Sequence, residues 1–393
     1  MDSATSDAAY QDRILPHVSR TFALTIPQLP PGLRTAVTNA YLLCRIADTV
    51  EDEPALSASE TLAFLQRFKA AVAGRADPGQ LARELEARLS ERTLPAERDL
   101  VSHMDRVIRV SAGLDELSRA AIERCVELMC YGMPRFQHNA SLHGLPRSSD
   151  LDAYCYYVAG VVGEMLTDLF CSYSPDIARH RQAMHELAAS FAQGLQMTNI
   201  LKDVWEDRSR GACWLPKELF ARHGFDVEEL SPERYDARFT AGMEELVGIA
   251  HAHLRNALTY TLLIPGSESG IRRFCLWAIG LAVLTLRKIV RHPRYTSGVE
   301  VKISRKSVAM TRVLTNLTVR SDWLLTRLFE FAARGLPLAP PSEVRRARIA
   351  RVSIESGTQS ATQPPSRQPN RVQTEPDLGF EQTELRTDRS SAS

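Results

Sequence analysis

The sequence predicts an all-α fold in a single domain. Apolar residues recur with the 3.6-residue period of a helix over long segments, and strand-like alternation is scarce. The segments also end at proline- or glycine-bearing breaks. The first long stripe runs over Leu33–Thr49, between the turn at Pro27 to Gly32 and the stop at Glu53-Pro54. A second, Leu114–Met129, should end at Gly132-Met133-Pro134. A third, Leu151–Phe170, has Ser149 or Asp150 as its cap and stops at Ser174-Pro175. Ala183–Trp205 follows, then a break at Leu215-Pro216. Arg238–Leu262 and Arg273–Val290 complete the set, separated by Pro265-Gly266.

Composition narrows the function classes. The chain has 393 residues, 44% hydrophobic and 24% charged, with a net charge of +1. That is ample length for a large core, and the near-neutral balance argues against nucleic-acid binding. The seven cysteines are scattered without CxxC spacing, which points to reduced thiols in a cytoplasmic protein. The apolar run Phe274–Leu286, flanked by arginine and lysine, is too short to span a bilayer. It reads as a buried core helix, with membrane-surface contact as the alternative. No polar linker divides the first 340 residues, so the expected organisation is a flexible N-terminus over 1–14 and one catalytic domain over 15–340. Residues 341–393 are expected to be a disordered tail: from Arg351 onward only eight of 43 residues are apolar.

Two carboxylate pairs carry the chemistry. Asp48 and Asp52 are four apart, as are Asp203 and Asp207, so each pair shares a helix face. Two such faces opposed would repel unless cations held them. Mg²⁺ suits that task, because it reaches proteins through a few carboxylates plus substrate phosphates. Tyr41 and Arg45 extend the first stripe, and a guanidinium there would grip diphosphate oxygens. The alternative for this pair alone is a solvated helix end with a salt bridge. Gln196 and Asn199 extend the second stripe, with Lys202 nearby, on a helix whose other residues are largely apolar. Between the pairs, Gly160 and Gly163 interrupt a helical segment and ask either for a close helix crossing or for room beside a bulky ligand. Tyr157, one turn before Gly160, would face the same space. No GxGxxG, Walker or GxSxG motif is present.

Together, Ser19-Arg20-Thr21-Phe22, Tyr41 to Asp52, Tyr154 to Gly163 and Gln196 to Asp207 resemble the squalene and phytoene synthase family of head-to-head prenyl synthases, in the same order. The resemblance implies an isoprenoid-synthase helical bundle around a central cavity. It implies Mg²⁺ held by Asp48, Asp52, Asp203 and Asp207 with Asn199. Arg20, Arg45 and Lys202 would bind the remaining diphosphate oxygens of farnesyl diphosphate, with Ser19 and Thr21 adding hydroxyls. Phe22, Tyr41, Tyr157 and Phe274 would line a dry cavity for the carbocation, and Tyr41 or Tyr157 would take part in proton loss. Phe274-Cys275-Leu276 and the Val301-Lys302-Ile303 segment look more like squalene synthases than phytoene synthases. The basic segment implies an NADPH site with Asn199, Lys302 and Arg305, although Ser304 stands where the family usually has arginine. Ala212 likewise replaces the usual arginine after Gly211, leaving Arg208 or Arg210 as substitutes. The expectation is thus a squalene synthase of sterol or hopanoid biosynthesis: a monomer that uses farnesyl diphosphate, makes peripheral membrane contact and lacks a transmembrane helix. Phytoene or dehydrosqualene synthase, presqualene diphosphate synthase and a non-catalytic scaffold are the alternatives.

Overall fold

The computed structural model describes residues 3–19, 21–137, 141–234 and 236–340. Within them the chain is helical, and no strand is present among the described residues. The helices that frame the site and its surroundings, with others between them, are α1 (Ser3–Val18), α2 (Pro31–Glu51), α3 (Ala58–Val72), α4 (Glu116–Gln137), α5 (Ser148–Cys155), α6 (Val161–Tyr173), α7 (Arg181–Lys202), α8 (Val204–Ser209), α9 (Ala237–Leu262), α10 (Ser269–Arg291), α11 (Arg305–Thr318) and α12 (Asp322–Ala332).

The centre of the bundle is α7 against α9, with α6 and α10 alongside. Gly194 on α7 permits this approach, since a Cβ there would lie 3.1 Å from His253 Cβ and from Leu254. Gly163 does the same for α6 on α7: its Cβ would stand 2.3 Å from the Ala188 carbonyl oxygen. Of the two readings of this glycine, the close helix crossing is the one found. Phe274–Leu286 lies within α10, whose inner face buries Phe274, Ile279, Val283 and Leu286, so it is a core helix.

Three expectations need correction. The first 14 residues do not stand apart from the domain. In α1, Tyr10, Ile14 and Leu15 are buried, Gln11 accepts a 2.8 Å bond from Asn39 of α2, and Asp7 is paired with Arg106 and Arg109. An amphipathic segment with buried partners is ordered by them, although its first residues are polar. The break at Gly132 to Pro134 is absent, because α4 continues through Pro134 to Gln137. Gly132 serves contact instead: a Cβ there would lie 2.0 Å from Tyr157 Cγ. Finally, Leu151–Phe170 is not one α-helix. Residues Tyr156–Gly160 form a single π-helical turn between α5 and α6. Such turns insert one residue into the helical register. Asp150, expected as a cap, accepts the Arg147 N–H at 2.9 Å. The tail expected over 341–393, like Arg20, lies outside the described residues.

Candidate active site

Helix α2 delivers the first wall. Leu42, Leu43, Ile46 and Val50 are fully buried on one side, which fixes Tyr41, Arg45, Asp48 and Asp52 on the other. The last turn closes with the Asp52 N–H donating to the Asp48 carbonyl at 2.9 Å. Helix α7 delivers the second wall. It yields to α8 at Asp203, whose backbone (φ −100°, ψ 15°) leaves the helical region. The spacing survives this break, because Asp203 N–H donates to Asn199 C=O and Asp207 N–H to Asp203 C=O, both at 2.8 Å.

The walls meet at one cavity of about 1760 Å³. Arg45, Asp48, Asp52, Gln196, Asn199, Asp203 and Asp207 all line it. Charged residues that sequence reasoning did not place in the site line it too: Glu51, Glu53, Arg92, Glu97 and Arg135. Glu51 sits between the first two aspartates, and Glu97 forms an ion pair with Arg45. Glu51 was legible inside the acidic run, whereas Glu97 comes from a distant helix that no motif marks. Of the two arginines that could replace the one missing at Ala212, Arg210 lines the cavity and bonds Asp207 at 2.5 Å. Arg208 instead donates to the backbone carbonyls of Leu142 and Val227. Tyr131, Tyr154 and Trp214 form an aromatic wall, the last two stacked at 4.1 Å.

Electrostatics at the site are strained in one direction. Burial, then Arg45's opposing attraction, then the Asp52 charge set the Asp48 carboxyl, and the net result is a rise to about 7. Its side chain keeps 37% exposure, at the lining of the cavity, so burial acts on it only in part. Burial also raises Asp52 and Asp207, each partly offset by Arg210, and raises Glu51 well above its usual range. Carboxylates gathered on the walls of one cavity call for cations.

Other predicted residues are distributed differently. Lys202 forms an ion pair with Asp203 and does not line the cavity. Glu206 points away and accepts bonds from Ser297 Oγ (3.1 Å) and Gly298 N–H (2.9 Å), which pins the Ser297–Lys302 segment against α8. Tyr41 and Phe22 rings lie 5.1 Å apart and Phe22 and Phe274 6.4 Å, so these three form an aromatic cluster one turn along α2 from Arg45. The Tyr41 hydroxyl donates to Val18 C=O at 2.9 Å, and Ser19 Oγ accepts from Phe22 N–H at 3.0 Å. Thr21 is exposed. The expectation that Tyr157 faces the cavity is corrected: it packs on Gly132 and beside Tyr131, while Tyr154 and Val158 line the cavity.

The donor set fits a hard divalent cation. It offers carboxylate and amide oxygens on two walls, with raised carboxyl pKa values that a cation would relieve. Among the described residues, no three His, Cys, Asp or Glu side chains converge to hold an ion alone. The NADPH set fits less well. Asn199 lines the cavity, whereas Lys302 and Arg305 are exposed and outside its lining.

A family model described as squalene/phytoene synthase matches residues 15–307. A squalene synthase of Nicotiana benthamiana is 31% identical over 315 residues, covering 77% of this chain and 70% of that protein. The squalene synthase ERG9 of Candida albicans is 29% identical over 316 residues, again 77% of this chain but 65% of its own length, so this chain spans less than two thirds of that relative. A solved complex of TcSQS with the ligand BPH1237 covers 90% of this chain and 99% of its own, with TM-score 0.69 and 23% identity, a likeness of fold. By motif order, fold and family match, the chain belongs to the squalene/phytoene synthase family and is most like its squalene synthases.

Proposed function

We propose that this chain joins two farnesyl diphosphates head to head through presqualene diphosphate and reduces the product to squalene with NADPH. The observation that carries the reading is the convergence of Asp48, Asp52, Asp203 and Asp207 on one cavity that also holds Arg45 and Arg210. Mg²⁺ bound by those carboxylates with Asn199 supplies neutralisation of a departing diphosphate. Arg45, oriented by Glu97, and Arg210, held at Asp207, present guanidinium donors to its oxygens. Tyr131, Tyr154 and Trp214 exclude water from part of the cavity and offer aromatic faces to a cation. Tyr41 extends the same α2 face toward Phe22 and Phe274, an apolar surface for a prenyl chain. Burial raises the pKa of Tyr41 and Tyr157, so both phenols are protonated at neutral pH. Tyr157 packs away from the cavity on Gly132, so the relay falls to Tyr41, whose phenol accepts one proton while passing its own to a diphosphate oxygen or water.

The separation of Lys302 and Arg305 from the cavity lining favours one second reading, presqualene diphosphate synthase without the reductive step. Product analysis with Mg²⁺ and farnesyl diphosphate, with and without NADPH, decides between them. Squalene formed only with NADPH supports the full reaction. Presqualene diphosphate accumulating in its presence supports the second reading. Phytoene from geranylgeranyl diphosphate points to the carotenoid branch, and no product from either substrate overturns the enzyme reading.

A further inference from the structure

Helices α11 and α12 carry an apolar surface that the bundle leaves uncovered. Both lie on the outer side of α10. Lys288 near the end of α10 bonds the Lys302 carbonyl just before α11, while Arg272 near its start bonds the Val319 carbonyl just after it. Helix α11 is therefore antiparallel to α10. Arg272 also pairs with Asp322 at 2.7 Å, and Arg287 bonds the Ala332 carbonyl, so α12 runs parallel to α10. The two helices form a hairpin lying flat on α10.

Their outward faces are apolar at helical spacing. Helix α11 buries Thr315 and rests Thr311 against Gly280, where a Cβ would lie 2.7 Å away. The opposite side presents Lys306, Met310, Val313 and Leu317, and Leu317 is 77% exposed. Helix α12 buries Leu325 and Phe329 and turns Trp323 and Phe331 outward, exposed at 66% and 65%. A stripe at this spacing ordinarily faces a core, and exposed apolar surface of this extent marks an interaction site.

Charge identifies the occupant. Residues 305–340 contain six basic and two acidic side chains. Both acidic ones are already paired, Asp322 with Arg272 and Glu330 with Arg327. A symmetric pairing of two copies would bring this positive surface against itself, whereas an anionic bilayer is complementary to it. No helix among the described residues is long and apolar enough to cross a membrane, so the hairpin would lie in the interface, with Trp323 at headgroup level and arginine heads in water. We propose that the α11–α12 hairpin docks the protein onto an anionic lipid surface.

Sedimentation of the full chain with phosphatidylcholine vesicles, with and without phosphatidylglycerol, tests this. Binding is expected with the anionic vesicles, weakening at least about tenfold in Met310→Glu/Leu317→Glu and in Arg320→Glu. Of the four tryptophans, Trp323 is the exposed one described, Trp214 and Trp277 being buried and Trp205 half-buried. Unsubstituted protein should therefore shift its emission to the blue on binding, a readout that needs no variant. Absence of sedimentation and of the emission shift overturns the proposal. So does equal vesicle binding by the variants, or light scattering that shows a dimer which Met310→Glu/Leu317→Glu dissociates.

Discussion

At the scale of single residues, the site works against the stability of its own fold. Asp48, ordinarily near 3.8, is raised to about 7, so the folded chain holds a proton that the unfolded chain has released between those values. Unfolding then binds fewer protons than folding, and stability falls as pH rises from about 4 through about 7. Without divalent cation, Asp48→Asn should raise the melting temperature above pH 7 and flatten its pH dependence. The same change should cut Mg²⁺-dependent turnover by about 10²-fold or more, and melting curves with product assays check both. Arg210 has the opposite balance, since it offsets the charges of Asp207 and Asp52. Arg210→Ala should raise the KM for the diphosphate substrate about tenfold, read from steady-state kinetics. This arginine was one of two candidates in the sequence, and the loop's path to Asp207 selects it over Arg208.

At the scale of elements, glycine and buried histidine set how closely the central helices approach. Gly163→Ala would drive a methyl against the Ala188 backbone, where no side chain can give way. A loss of about 1–3 kcal/mol is expected, measured by urea unfolding. His253 on α9 is buried beside Gly194, with its Nδ1 2.8 Å from Ser190 Oγ. Burial depresses it from 6.5 to about 4, so between those values the unfolded chain binds the extra proton. Its stability contribution is present above about 6.5 and lost as pH falls toward about 4. His253→Gln should shrink that acid-side loss in melting temperature. Periodicity announced these helices, but the π turn at Tyr156–Gly160 has no periodic signature. Within that turn Tyr157 packs on Gly132, a contact that no local spacing announces.

At the scale of the whole molecule, the domain begins earlier than composition indicates. A chain starting at residue 15 loses the buried side chains of Tyr10 and Ile14, at about 2 kcal/mol each. It also leaves Asn39 without its Gln11 partner. Such a chain should be less stable by about 4 kcal/mol or more in denaturant titration. The sequence by itself determined the helical class, the two aspartate faces and the family, because each is written in local spacing: 3.6-residue stripes, i to i+4 carboxylates and the order of short motifs. Tertiary structure decided which side chains share the cavity. Glu97 reaches Arg45 from 52 residues away, Lys202 is taken up by Asp203, and Lys302 and Arg305 remain outside. The fold also decided that α10 is buried while the stripe of α11 is not, although both are apolar at helical period. Period records which residues share a face, and the position of the element in the bundle decides what that face meets.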